Sequence, residues 1–264
     1  MKILSLNVGI KIDNTKQIIE FLQKEDADIV CLQEVAKPEE QTVKKLFKAK
    51  PAIDKALGGR YPNLFFGDVF ESRGYNLKGR VEMDFGGLIK QGNYILSKFP
   101  FETAHNIFYY KSHTLMVDWS DWEQEDTGRS LQQGIIQLND KKKLQVINLH
   151  GIWTRDKRGD ERTINQSKAI LEIASKYQDL PTIILGDVNL LPETKSVALL
   201  SQNYTNLISK FGIKTTRPSF KDNIDEGGQI VDYVFVNDKI QVKDFKVFDT
   251  DISDHLPLIL TFEV

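Results

Sequence analysis

Five short apolar runs in this chain border directly on polar residues of the metal-binding or acid–base type, and no other sequence feature constrains the fold as much. The junctions are Leu6-Asn7, Leu32-Gln33-Glu34, Leu149-His150, Leu185-Gly186-Asp187-Val188-Asn189 and Ser253-Asp254-His255 before Leu256. Asp232 adds a sixth, inside Val231-Asp232-Tyr233-Val234-Phe235. A carboxylate desolvated at a strand end is costly unless a cation, a proton or a hydrogen-bond donor compensates it. Taken singly, each junction has an ordinary reading: a strand-end asparagine satisfying backbone groups, a Gly-Asp-x-Asn turn, a packed histidine. Their joint recurrence in one chain points instead to a shared site.

The spacing within the junctions agrees. Asp187 and Asn189 are two apart and point to the same side of an extended chain. Gly186 permits the close backbone approach expected beside a bound phosphate. Glu34 is a hard oxygen ligand of the kind Mg²⁺ takes in small number, together with waters and substrate oxygens. His150 and His255 supply donors for a phosphoryl group.

The intervening sequence reads as alternating strands and helices. Strands are expected at 2–8, 28–32, 94–96, 182–185, 231–236, 242–248 and 258–262. A hairpin is expected from 131–138 and 144–149 around Asn139-Asp140-Lys141-Lys142. Helices are expected after the capping pair Asp13-Asn14, over 39–57 up to Gly58-Gly59, and over 161–177. This is an α/β chain, and its tight turns call for mixed or antiparallel sheets. No linker-like stretch divides it, so one domain over 1–264 is expected. With 37 acids against 35 bases it is no basic nucleic-acid coat protein, and at 41% hydrophobic it can bury a core. The single cysteine, Cys31, lies in an apolar run and reads as a buried small hydrophobe. Without a signal-like cleavage site or a long apolar span, a cytoplasmic protein is expected.

The motifs resemble those of the endonuclease/exonuclease/phosphatase superfamily, which has the fold of pancreatic deoxyribonuclease. The likeness runs through Leu4-Ser5-Leu6-Asn7, Leu32-Gln33-Glu34-Val35, Gly92-Asn93-Tyr94-Ile95-Leu96-Ser97, Ile147-Asn148-Leu149-His150, Gly186-Asp187-Val188-Asn189-Leu190, Val231-Asp232-Tyr233-Val234-Phe235 and Ser253-Asp254-His255. It implies a four-layer sandwich in which two facing mixed β-sheets are flanked by helices. It also implies a Mg²⁺- or Mn²⁺-dependent phosphoesterase. In that reading Glu34 is the principal metal ligand, with Asn7 and Asp254 close to the metal or its waters. Asp187 orients and deprotonates the attacking water. Asn189 holds that water or a phosphate oxygen. His255, held by Asp232, binds the scissile phosphate, and His150 stabilises charge on the opposite oxygens or aids the leaving group. Abasic-site endonucleases of the superfamily carry an acid where this chain has Gly9 and a tyrosine near the place of His150, so the deoxyribonuclease-like, sphingomyelinase-like and 5′-tyrosyl-DNA phosphodiesterase-like members are more similar.

Beyond His150 come Trp153, Arg155, Lys157, Arg158 and Arg162, a segment suited to a phosphate backbone and a stacked base, or to an ordinary solvated loop. Substrate contacts are expected from Trp153, Arg155 and Arg158. Thr215-Thr216-Arg217 either places one cation near the site or closes a turn. The acidic, tryptophan-containing loop at 118–126 would repel a polyanion if it bordered the groove. The expected partner is DNA, RNA or a nucleotide-linked phosphodiester, acted on by a monomer with no stable membrane insertion. The alternatives are a phosphatase or phospholipase acting on inositol phosphates or sphingomyelin, and a catalytically dead binding module on the same fold.

Overall fold

The computed structural model describes residues 1–10, 14–77, 80–116, 127–218 and 229–264. Asp13 and the acidic loop at 118–126 lie outside the described residues. In chain order the first elements are β1 (Lys2–Asn7), α1 (Thr15–Glu25), β2 (Ile29–Pro38), α2 (Ala49–Leu57), β3 (Asn63–Leu77), β4 (Arg80–Ser97), β5 (Phe101–Tyr110) and β6 (Thr114–Met116). They continue as β7 (Arg129–Gln137), β8 (Lys143–His150), α3 (Glu161–Ser175), β9 (Thr182–Asp187), α4 (Lys195–Asn203), β10 (Thr205–Asn206), α5 (Leu207–Lys210), β11 (Asp232–Val236), β12 (Gln241–Val247) and β13 (Leu258–Glu263).

Seven strands form one sheet in the order β12-β13-β1-β2-β4-β3-β6, and six form a second in the order β10-β11-β9-β8-β7-β5. Both are mixed: β1–β2, β3–β6 and β8–β9 pair in parallel within otherwise antiparallel sheets. Period-two alternation assigns the faces. Leu4, Leu6, Val30 and Leu32 point outward onto Ile18, Phe21 and Leu22 of α1 and Ile53 and Leu57 of α2. Ile3 and Cys31 fall on the opposite face and join Val146, Ile183, Leu185 and Val234 in the core between the sheets. Helix α3 closes the far side, where Gln133 Nε2 donates to the Ile173 carbonyl at 3.2 Å. The helices, flanking the two sheets, make the outer layers of the expected four-layer sandwich.

Toward one edge the layer between the sheets changes from hydrocarbon to carboxamide. Gln33 Nε2 donates to Asn148 Oδ1 at 2.7 Å and lies 3.2 Å from Ser5 Oγ. Asn148 Nδ2 donates to the Leu32 carbonyl at 3.2 Å and to Gln132 Oε1 at 3.0 Å. Gln132 Nε2 in turn donates to the Phe65 carbonyl at 2.7 Å. Each bond crosses or braces the gap between the sheets, so this buried polar layer fixes their register where apolar packing alone would allow sliding.

Several local expectations change. The segment 39–57 is not one helix. Strand β2 runs on to Pro38, the Glu39 N–H donates to the Leu88 carbonyl at 2.9 Å, a 3-10 turn occupies Lys45–Phe47, and only Ala49–Leu57 is α-helical. Val43 and Phe47 therefore pack under the β3–β4 ribbon against Phe85 and Ile89 instead of lining a helix face. The expected strand at 94–96 is the end of the 18-residue β4. Asn14 sits at the start of α1 without a side-chain capping bond. Cys31 is fully buried, and burial pushes its thiol pKa up.

Gly186 is required, although the group that approaches it is not a phosphate. It has φ 134°, and a Cβ placed there would meet the Leu149 carbonyl oxygen of neighbouring β8 at 2.1 Å. Gly186→Ala is therefore expected to cost about 3 kcal/mol of stability. Urea unfolding measures this, and a loss under about 0.5 kcal/mol, the range of ordinary surface substitutions, would show that β8 and β9 can part to admit a methyl group.

Candidate active site

Strand register assembles the centre of the site. At the ends of β8 and β9, His150 pairs with Asp187, and in β11 Asp232 pairs with the same Asp187. Directly paired residues share a face, so the three side chains stand in a row facing the first sheet. Asp187 is only 1% exposed and Asp232 only 3%.

Glu34 joins them from across the gap by means of a bulge. The β2–β4 register shifts between Leu32, opposite Tyr94, and Val35, opposite Gly92. Glu34 takes φ 58°, an unfavourable conformation for a residue with a Cβ. Strict alternation would send Glu34 outward with Leu32, and the extra residue turns it toward the cleft. Two donors hold it there: the Ile10 N–H reaches Oε2 at 3.1 Å and Asn7 Nδ2 reaches Oε1 at 3.1 Å. The same Asn7 nitrogen donates to Asp187 Oδ2 at 3.0 Å. One amide thus ties a carboxylate of each sheet. Its oxygen accepts from the Gly9 N–H at 3.0 Å, so Asn7 turns its nitrogen toward Glu34. Ser253 Oγ donates to the Asn7 carbonyl at 2.6 Å and brings the segment carrying Asp254 and His255 against this corner.

His255 Nδ1 lies 2.9 Å from Asp232 Oδ2, the expected pairing, and its Nε2 is 3.6 Å from Asp187 Oδ2. Burial works against an imidazolium, but Asp232 and Asp187 outweigh it and push the pKa of His255 up to about 9. Arg217 opposes this, with Nη1 2.6 Å from Nε2. That contact is a hydrogen bond only while Nε2 is an unprotonated acceptor. An anion entering between the two would instead accept from both. Arg217 Nη2 is also 3.5 Å from Asp254 Oδ2, so Asp254 faces a guanidinium. Thr216 supports this arrangement: its hydroxyl accepts the Val231 and Asp232 N–H groups at 3.0 and 3.2 Å, and its carbonyl accepts the Leu256 N–H at 2.8 Å.

His150 Nε2 stands 3.7 Å from both Glu34 Oε1 and Asp187 Oδ2. Burial lowers its pKa despite those carboxylates. For Asp187 burial opposes ionisation, but His255 foremost among its neighbours holds the carboxyl below its ordinary value. The segment after His150 is braced from beneath: Tyr109 Oη lies 3.1 Å from the His150 carbonyl, Gln166 Oε1 accepts the Ile152 N–H at 2.7 Å, and buried Arg129 Nε donates to the Gly151 carbonyl at 3.0 Å.

Of the substrate-binding residues expected on that segment, Arg155 and Arg158 are exposed and Trp153 is half-buried. The cation that turns inward is Lys157. Its Nζ lies 2.5 Å from Asn189 Oδ1 and 4.9 Å from the centre of the Trp153 ring. Asn189, at φ 63°, gives its amide nitrogen to the Gly151 carbonyl at 3.2 Å. Arg217, expected either near the site or at a turn, takes the first place, and Lys157, expected only as one cation among several in its loop, is the one that turns inward. Which cation of a basic loop turns inward is set by the left-handed backbone at Lys157 (φ 57°) and Gly159 (φ 71°), and no spacing rule encodes that.

Asp187, Asp232 and His255 offer ligand atoms all within 4.8 Å of one another, a group able to hold a metal ion. The fold and this cluster define a phosphoesterase-type site. The sequence profile of the endonuclease/exonuclease/phosphatase family matches residues 4–255, and the chain belongs to that family. Similar solved structures include an endonuclease/exonuclease/phosphatase from Beutenbergia cavernae (16% identity, 98% of this chain and 70% of that one, TM-score 0.73). A mannosyl-6-phosphatase from Bacteroides thetaiotaomicron covers 100% of both chains at 17% identity and TM-score 0.68. Truncated TDP2 from Caenorhabditis elegans covers 100% of this chain and 97% of its own at 20% identity and TM-score 0.66. No curated protein matches the chain in sequence. No described helix is long and apolar enough to cross a membrane.

Burial, reinforced by Arg217, lowers the pKa of Lys157 to about 8, below its ordinary 10.5. Between those values the unfolded chain binds the proton that the folded chain has lost. Folding stability at this position therefore rises with pH, from about 8 up to the ordinary lysine value. In urea unfolding across pH 7 to 10, the stability of the wild type relative to Lys157→Met is expected to improve as pH rises. A difference that stays flat would place Lys157 in solvent.

Proposed function

We propose that the chain is a Mg²⁺-dependent phosphoesterase that cleaves a P–O bond by in-line attack of water. The supporting observation is Asn7 Nδ2, which hydrogen-bonds Glu34 and Asp187 together and so brings the expected metal ligand and the expected base to one point. The donor set fits a hard dication at Glu34, a half-buried carboxylate that opens to the cleft, with Asp254 in support. The Asp187–Asp232–His255 group fits one less well, because both ring nitrogens of His255 are already engaged, by Asp232 and by Arg217. Bound at Glu34, Mg²⁺ would supply Lewis-acid stabilisation of charge on the phosphoryl oxygens.

The chain's own groups provide the remaining chemistry. Asp187, ionised and buried, takes a proton from the attacking water at Oδ2, with Asn7 fixing its orientation. His255, once protonated and held by Asp232, donates from Nε2 to a non-bridging oxygen. His150 donates from its ring to a second oxygen or to the leaving group. Together these donors stabilise charge that develops in the transition state.

Two substrate classes have a feature in their favour. Exposed Arg155 and Arg158 beside the cleft favour a nucleotide-linked phosphodiester. Lys157 within the cleft favours a small phosphomonoester. A panel of single-stranded and duplex DNA, RNA, tyrosyl-DNA, sugar phosphates, inositol phosphates and sphingomyelin separates them. Glu34→Gln, Asp187→Asn and His255→Ala are each expected to lower kcat by about 10² to 10⁴ with the fold intact by circular dichroism, and EDTA to abolish activity that Mg²⁺ restores. Near-wild-type turnover in any of the three variants would remove that residue from the mechanism.

A further inference from the structure

Among the described side chains at the cleft, two are basic and come from different segments of the chain. Lys157 comes from the loop after β8, and Arg217 from the Thr215–Pro218 segment, which bonds through the Thr216 carbonyl to Leu256 beside His255. The Lys157 ammonium hydrogen-bonds the neutral carboxamide of Asn189 at 2.5 Å, with Asp187, Glu34 and Asp232 attracting it only through space. A neutral amide offsets the desolvation of an ammonium far less well than an anion does. The carboxamide is itself locked: its nitrogen donates to the Gly151 carbonyl, which also accepts from Arg129 at 3.0 Å. The Trp153 ring covers the lysine at 4.9 Å, within cation–π range. The lysine backbone is pinned as well, its N–H donating to the Thr154 carbonyl at 3.1 Å and its carbonyl accepting the Leu191 N–H at 2.9 Å. Two side-chain contacts thus hold the ammonium and two backbone bonds hold the residue that carries it. Arg217, whose charge is felt at Lys157, rests on His255 Nε2 at 2.6 Å, a contact that an anion accepting from both would replace.

We propose that Lys157 and Arg217 form a two-cation phosphate clamp that selects esters whose phosphorus carries two ionised oxygens, the phosphomonoesters, with Asn189 and Trp153 as positioning residues for Lys157. A phosphodiester has one ionised oxygen and answers only one of the two cations directly, whereas a phosphomonoester answers both. Asn189, expected to touch the phosphate itself, instead acts through the lysine. This inference rests on the phosphoesterase reading above.

The test uses the full chain with Mg²⁺, p-nitrophenyl phosphate and bis(p-nitrophenyl) phosphate as a monoester–diester pair, and calorimetric titration with inorganic phosphate. Variants are Lys157→Met, Lys157→Arg and Asn189→Gly, the last chosen because glycine tolerates the left-handed backbone at that position. Wild type is expected to prefer the monoester. Lys157→Met should lower kcat/KM for the monoester and weaken phosphate binding by about 10- to 100-fold, the worth of one hydrogen bond to a charged group, with a smaller loss on the diester. Lys157→Arg should recover part of both, and Asn189→Gly should raise KM more than it lowers kcat. Phosphate affinity in Lys157→Met within twofold of wild type, or equal losses on the two esters, would overturn the clamp. Preference of the wild type for the diester would overturn its selectivity and leave the phosphoesterase reading standing. Lysine-dependent phosphate binding without hydrolysis of any ester would do the reverse.

Discussion

A carboxylate can be kept ionised between two sheets only where donors and cations converge on it from both, and Asp187 is that point in this structure. It is the shared partner in two strand pairings, with His150 in β8 and Asp232 in β11. Because paired residues share a face, the chain has no freedom to put these groups elsewhere without slipping the register of the whole second sheet. The first sheet contributes the Asn7 amide at 3.0 Å, and the segment before β13 contributes His255 at 3.6 Å. Were any of the three strands displaced by one residue, a buried carboxylate would face hydrocarbon, at a cost that a marginally stable fold cannot absorb. Charge placement and topology therefore enforce one another.

The same coupling explains the carboxamide layer beneath the site. Apolar side chains between facing sheets impose spacing but little register. Gln33, Asn148 and Gln132 form a directional ladder one or two residues below Glu34 and His150 on the same strands. A shift of one sheet against the other would break the bonds from Gln33 to Asn148, from Asn148 to the Leu32 carbonyl and from Gln132 to the Phe65 carbonyl, leaving buried amides unsatisfied at about 1–3 kcal/mol each. The bulge at Glu34 lies directly above this ladder. Its unfavourable φ persists because Gln33 is clamped on one side and the Ile10 and Asn7 donors hold the carboxylate on the other.

What was legible in the sequence follows from which forces are local. The junction residues Asn7, Glu34, His150, Asp187, Asp232 and His255 stood out because a polar residue terminating an apolar run leaves a mark at one position, and the structure brings all six together. The hairpin at Asn139 and the helix from Glu161 carried their own turn and capping chemistry, seen in the reciprocal Asp160–Thr163 bonds. The long β3–β4 ribbon and edge strand β5 left no such mark, since Glu102, His105 and Asn106 interrupt the alternation that would signal a strand. The helix expected over 39–57 failed because its lysine and leucine spacing imitates an amphipathic helix, while the pairing of Pro38 with Ile89 draws the segment into the sheet. Asn189 was found for its type and position, yet the direction of its amide depends on Gly151 and Lys157, contacts that only the folded loop creates.

Charge balance joins these elements into one picture. Glu34, Asp187, Asp232 and Asp254 face Lys157, Arg217 and the titratable His255, with buried Arg129 behind them, so acids and bases at the site nearly cancel. A site of this kind resists taking up a dication alone or a phosphate dianion alone, since either leaves an excess of one sign in a region of low dielectric. A dication held by Glu34 and a dianion held by Lys157 and Arg217 would, in the proposed enzyme, together preserve the balance. In the proposed enzyme, metal and substrate binding are then thermodynamically linked: each raises the affinity for the other by the same factor, and the coupling arises from the near-neutral arrangement of fixed charges without any movement of the sheets.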